Sequence, residues 1–163
     1  MSPTEVKAAI RAEVRAFCEQ QVAPVAWDIG HTEEAVSAFP APLFKAMADA
    51  GLFRIPFAAG VGGRGLQHPA TATAVVIEEL SYFSNSVAAI YDVHCILAGH
   101  ALEWANPALQ QQYLAPLLSG EKIGSFATSE PETSTDLSVE SLVTGAEVGY
   151  RPQYLRQGVY RLT

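Results

Sequence analysis

The sequence predicts a mainly α chain: a helical bundle over residues 1–124, followed by the truncated start of a β-domain over residues 125–163. Three observations predict it. Apolar residues recur at spacings of three and four up to Leu118, as one face of successive helices requires. Proline and glycine punctuate that pattern where helices would begin and end. After Gly124 the period changes: a hydroxyl-rich stretch comes first, then short runs of β-branched and aromatic residues.

Ser2 or Thr4 caps the first helix, with Glu5 in its first turn, where a negative charge suits the helix dipole. Val6, Ile10, Val14, Phe17 and Cys18 form its apolar face, and Pro24 ends it near Gln21 or Val22. Val25–Trp27 extends it as a kinked or second short helix, and Gly30–Glu34 reads as a loop. Phe39-Pro40 opens the next unit, in which Leu43, Met47 and Ala50 share a face and Gly51 follows the last turn. Phe53–Phe57 is short and apolar. Gly60, Gly62, Gly63 and Gly65 then fall close together, as a phosphate loop or a tight connection would need. They lack the GxGxxG spacing, a Lys-Ser/Thr ending and a βαβ context, so the tight connection is the expectation.

Pro69 opens a long helix carrying Ala70, Thr73, Ala74, Val76, Ile77 and Leu80, with Glu78 and Glu79 towards its polar side. Ser84-Asn85-Ser86 breaks and recaps the chain. A second long helix, Val87–Trp104, carries Ile90, Tyr91, His94, Ile96, Leu97, Ala101 and Leu102. It is apolar around most of its circumference, as a central bundle helix is. His94 within it reads as a satisfied core or pocket-wall histidine rather than a base. Asn106-Pro107 begins a shorter helix with Leu109, Tyr113, Leu114, Leu117 and Leu118, and Gly120 stops it. Leu142–Val148 and Val159–Thr163 are candidate strands.

Composition excludes several roles. Hydrophobic residues make up 49% and charged residues 17%, which is a core-forming balance. A net charge of -7 with no Lys/Arg cluster disfavours nucleic acid and anionic membrane surfaces. No run reaches the roughly 18 to 20 apolar residues of a membrane helix, and the N-terminus does not read as a signal peptide. A cytoplasmic protein is expected. Cys18 and Cys95 are expected as reduced, buried thiols, although counting alone leaves one disulfide open. His94, Cys95 and His100 form no metal site on this reading, because adjacent helical residues point apart and no second ligand pair exists.

Phe39-Pro40, Gly51-Leu52, Gly62-Gly63-Arg64-Gly65, Glu78-Glu79-Leu80, the run Tyr113–Gly124 and the loop Phe126–Asp136, in this order, carry a resemblance. The chain resembles the N-terminal part of the acyl-CoA dehydrogenases, flavoproteins that desaturate acyl-CoA thioesters. The loop in that family reads aromatic-Ala-x-Thr-Glu-Pro-x-x-Gly-Ser-Asp. Phe126, Ala127, Glu130, Pro131 and Asp136 match it; Ser129 and Thr135 keep the family's hydroxyls; Ser134 stands where the family has glycine. The resemblance implies FAD as cofactor and an acyl-CoA substrate. It implies flavin-ring contacts at Phe126, Thr128 and Ser129, and pyrophosphate or CoA contacts at Ser134 and Thr135. It places the acyl pocket wall at the central helix, with Tyr91 and His94 as the residues to watch and a short or unusually shaped acyl group as the hypothesis. It also implies a β-barrel-like middle domain from residue 125 onward, and a homo-oligomer or a hetero-oligomer with a related subunit.

The family's base, a Glu that removes the α-proton, lies past the length of this chain, so no catalytic residue is assigned. Glu130 is expected to be a structural carboxylate. Two rival readings stand beside an acyl-CoA dehydrogenase-like fragment. One is a non-catalytic helical module or partner subunit. The other is the N-terminal part of a flavin monooxygenase or nitroalkane oxidase relative.

Overall fold

The structure, a computed structural model, describes residues 1–33 and 38–126 together with the backbone of two short strands, 152–156 and 159–162. The chain divides into two compact units, Met1–Phe126 and Ala127–Thr163.

The first unit is helical. Helix α1, Pro3–Phe17, starts at a capping box: the Ser2 hydroxyl accepts the Glu5 amide and the Glu5 carboxylate accepts the Ser2 amide. It continues as a π-helical turn, Cys18–Val22. Val6, Ile10, Val14, Cys18 and Val22 are buried along one stripe. Each larger aliphatic side chain so buried contributes about 1.5–3 kcal/mol, so this stripe, and not helix propensity, holds α1 in place. Helix α2, Ala26–His31, follows and takes in Gly30 and His31, which the sequence assigned to a loop. The His31 ring stacks on Trp27 at 3.8 Å, a contact that an i,i+4 pair makes only in a helix.

Helix α3, Ala41–Asp49, buries Leu43, Phe44, Met47 and Ala48 and ends at Gly51 with φ 69°. Ala50 is exposed, not part of that face as the spacing suggested. The segment after it is core: Leu52, Phe53, Ile55 and Phe57 are fully buried. The glycine cluster is a tight connection. The Gly62 amide donates to Ala59, Gly63 to Ala58, Arg64 to Arg54 and Gly65 to Phe57, so these amides are already used within the turn. A Cβ on Gly63 would lie 2.1 Å from the Phe57 carbonyl oxygen.

Helix α4, Pro69–Phe83, packs along α1. Glu79, expected on its polar side, is instead buried, with 2% of its side chain exposed. Arg11 Nε donates to it at 2.9 Å and Arg15 Nε also bonds it. The two arginines are four apart on α1 and so share the face that meets α4. The Arg15 hydrogen bond above all holds the Glu79 carboxyl below its usual range, against the opposing effect of burial.

Ser84 caps the next run by accepting the Val87 amide. That run is helix α5, Asn85–Tyr91, a π-helical segment, Asp92–Gly99, and helix α6, His100–Glu103. Asn106 caps the last run, comprising α7, Pro107–Leu109, a π turn, Gln110–Leu114, and α8, Ala115–Leu118.

In the second unit, β1, Pro152–Arg156, pairs antiparallel with β2, Val159–Leu162, with Tyr154 opposite Tyr160 and a register shift before Arg156. The strand expected at 142–148 lies outside the described residues. The partner of β2 is a segment the sequence reading left without structure. Pro152 and the polar Gln153 and Arg156 weakened its strand pattern.

Two predictions follow from this packing. Replacing both Arg11 and Arg15 by Met should cost more stability in urea melts than Glu79→Met, because it strands a buried carboxylate. The double change should cost about 2 kcal/mol, a value reduced because both guanidinium groups are partly exposed. Gly63→Ala should lower the midpoint strongly, since the clash is with backbone, whereas Gly60→Ala, with nothing within 4 Å of the added carbon, should leave it nearly unchanged.

Candidate functional site

The site is built on the π-helical segment Asp92–Gly99. A π turn adds a residue per turn and changes which side chains share a face, and such turns occur often at functional sites. Here the segment supplies walls to three grooves. Asp92 and Ile96 line one with Thr73, Ala74, Ile77 and His100, about 370 Å³ in volume. Val93 and His94 line a second with Phe39, Ala89, Ile90, Ile123 and Gly124, about 290 Å³. Leu97 and Ala98 line a third with Leu102, Tyr113, Lys122 and Phe126, about 380 Å³. The second and third meet at Ile123 and Gly124.

These walls are largely apolar and incompletely covered. Ile123 is 60% and Phe126 50% exposed, and Leu97 and Tyr113 are more than a third exposed. The long helix was expected to be covered as a central helix. Among the described residues its Leu97, Ala101 and Trp104 remain at the surface. The Lys122 ammonium lies 5.0 Å from the Tyr113 ring centre, a cation–π contact at the rim of the third groove.

His94 is the buried polar group of the second groove. Its Nδ1 accepts the Gly124 amide at 3.0 Å, so Nε2 carries the proton and donates to the Leu117 carbonyl at 3.1 Å. The ring packs on Phe53 at 4.3 Å and edge-on against Phe44 at 4.8 Å. Burial pulls its pKa down to about 4, and the Leu117 hydrogen bond opposes this only in part. His94 is therefore neutral at pH 7, with both nitrogens engaged, which suits a wall residue and not a proton carrier.

Tyr91 sits deeper. It is fully buried, and its hydroxyl donates to the Leu52 carbonyl at 3.3 Å. It is not among the residues that line these three grooves and stands behind them in the core. Burial raises its pKa, and it does the same to the Cys95 thiol, while Cys18 is pushed up to about 11. Both thiols are free and buried, so neither is a nucleophile at neutral pH. Of the expected cofactor contacts, Phe126 is described and lies at the third groove. Thr128, Ser129, Ser134 and Thr135 lie outside the described residues, as does Glu130.

Of the groove residues, Ala89, Val93 and Ala98 were not singled out from sequence, and Ile90, Ile123 and Gly124 were named for helix spacing or for the family run but not as site residues. Their apolar character was visible, but apolar spacing reads the same for a core and for a groove wall.

His94 makes stability pH-dependent with a defined sign. Its folded pKa of about 4 lies below the ordinary 6.5, so the unfolded chain binds the proton first. Stability contributed by neutral His94 should be complete above pH 6.5 and fall as pH drops towards 4. Glu79 acts lower, because its depressed folded pKa matters only below about 4.5. Urea melts at stepped pH should show the upper window vanish in His94→Asn and persist in Glu79→Gln.

Comparison with known proteins agrees with this architecture. The family described as "Acyl-CoA dehydrogenase, N-terminal domain" matches residues 4–121. The chain is 33% identical over 139 residues to a protein of Clostridium acetobutylicum named "Acyl-CoA dehydrogenase, short-chain specific", covering 85% of this chain and 35% of that protein. It is 32% identical over 149 residues to a "3-(aryl)acrylate reductase" of Clostridium sporogenes, covering 90% and 38%. It is 30% identical over 139 residues to a mitochondrial "Short-chain specific acyl-CoA dehydrogenase" of Bos taurus, covering 85% and 32%. The chain thus spans about a third of the length of these relatives. With a helical unit from Met1 to Phe126 and a match over residues 4–121, the chain belongs to the acyl-CoA dehydrogenase family, as its N-terminal domain.

Proposed function

We propose that this chain forms the acyl- and flavin-facing wall of an acyl-CoA dehydrogenase-like flavoprotein that desaturates an acyl-CoA thioester at its α,β-bond. The carrying observation is the meeting of the two apolar grooves at Ile123 and Gly124, two residues before Phe126. An apolar, open wall suits an acyl chain or an aromatic ring system. Phe126 is half-exposed beside it, which fits a ring-contact residue. The glycine connection, with its amides engaged, is not offered as a phosphate cradle.

In this reading FAD, when bound, supplies the two-electron acceptor. Phe126, Thr128 and Ser129 contact its ring, and Ser134 and Thr135 donate to its pyrophosphate or to the CoA moiety. His94 forms the pocket wall, Tyr91 stands behind it in the core and not in the wall, and a short acyl group is the preferred substrate of this reading. Two relatives whose names carry "short-chain specific" support that preference. No residue of this chain is assigned the proton abstraction. A cytoplasmic location and assembly as a homo- or hetero-oligomer belong to the same reading. The second reading, a non-catalytic module that contributes only pocket walls, is favoured by one observation: among the described residues no carboxylate that could serve as a base lines the His94 groove.

A flavin titration separates the two. FAD fluorescence should be quenched by the purified chain, and Phe126→Ala should weaken binding by up to about tenfold, the scale of one aromatic contact. Absence of quenching at any FAD concentration would leave the wall-only module. A butyryl thioester of CoA should protect the chain from thermal unfolding more than a palmitoyl one; the reverse order would overturn the short-acyl preference.

A further inference from the structure

Residues 123–126 leave α8 along the rim of two grooves. Among the described residues they make a single hydrogen bond, from the Gly124 amide to His94 Nδ1. The last backbone bond before them runs from the Lys122 amide to the Pro116 carbonyl. Among the described residues, the hydrogen bond that fixes the path of this segment therefore goes to one imidazole.

That imidazole is held with little freedom. Nε2 donates to Leu117 on α8, and Phe44 and Phe53 pack against the ring from α3 and the turn after it. Gly124 is held sterically as well. A Cβ there would lie 2.7 Å from Ala98 Cβ, 3.0 Å from Leu117 Cδ1 and 3.1 Å from the His94 carbonyl oxygen. The amide is thus pressed onto the π segment at the position where Nδ1 receives it.

We propose that His94 is a positioning residue for Phe126: it pins the Gly124 amide to the π segment and so directs the chain that carries Phe126. The consequence for cofactor contact rests on the function proposed above; the pinning itself does not. The arrangement requires a bare Nδ1. A protonated ring has an N–H at both nitrogens and cannot accept from Gly124. No charged side chain from α3, the Leu52–Arg54 turn or α8 contributes to the titration of His94, which is shifted by burial and by the Leu117 carbonyl. On its own helix Tyr91 and Cys95 are buried and neutral, and Asp92 lines the other groove.

The test is amide hydrogen exchange of the whole chain, read by NMR at Gly124 and referred to the intrinsic rate. In the unmodified protein Gly124 should be protected at least tenfold at pH 6.5, and the protection should be lost on acidification with a midpoint near 4. His94→Phe keeps the ring and removes both nitrogens, so protection should vanish. His94→Asn places an acceptor near Nδ1 that does not titrate there, so protection should return and stay flat across the same acid range. Amides of α1 and α4 report whether each variant is folded. If His94→Phe unfolds the chain, the pH profile of the unmodified protein against His94→Asn decides. Equal Gly124 exchange in the unmodified protein and His94→Phe overturns the proposal, and so does failure of His94→Asn to restore protection. FAD titration supplies the second readout: His94→Phe should weaken binding as much as Phe126→Ala does. Unchanged FAD affinity with a released Gly124 overturns the positioning role. If the unmodified protein binds no FAD, the function proposed above fails while the exchange data still judge the pinning.

Discussion

The buried Glu79 carboxylate is the constraint around which the helical unit is arranged. A charge almost wholly removed from water is tolerable only where it is paired and hydrogen-bonded. Arg11 and Arg15 meet that requirement together, one on each carboxylate oxygen. Such a pair adds little net stability over an apolar replacement, but an alignment of α1 on α4 that kept Glu79 buried without both arginines would leave its charge unpaired. The stripe Val6, Ile10, Val14 supplies the adhesion, and the clamp supplies its register. Helix α4 then passes through the Ser84 cap directly into α5, so the placement of α1 on α4 carries through to the π segment.

That segment puts grooves into the wall of a packed bundle. The side chains of Asp92–Gly99 are spread over three grooves. The electrostatics around the second of them are quiet. Its histidine is neutral, and the thiols elsewhere in the core are held as thiols. In the proposed function such a wall shapes and orients a ligand while leaving redox and proton chemistry to other groups. This division of labour accords with a chain that spans about a third of its relatives.

Much of the helical order was legible because its signals are local. Ser2, Pro69, Ser84 and Asn106 begin helices where their side chains or fixed φ satisfy the first turn. The dense glycines read correctly as a turn because phosphate loops need spacings that this cluster lacks. Glu79 was misread for a physical reason: periodicity places a residue on a face, but a face is polar or buried according to what lies opposite. Gly30 was misread because glycine lowers helix propensity only modestly, by about 1 kcal/mol. The candidate site was legible in part. His94 was noticed as a wall or core histidine, and Phe126 through its motif, but the bond from His94 to Gly124 and the π winding have no short-range signature.

By itself the sequence determined the mainly helical class, most helix starts, the tight glycine turn and the family. These depend on caps, breakers and patterns that act within a few residues. Tertiary structure alone decided which charged group is buried, how the long helix is wound and which of its apolar faces stay open. Those outcomes join residues far apart in the chain: Arg11 to Glu79 across 68 positions, His94 to Gly124 across 30. Burial and hydrogen-bond satisfaction are properties of the partner that arrives, and no local pattern specifies that partner.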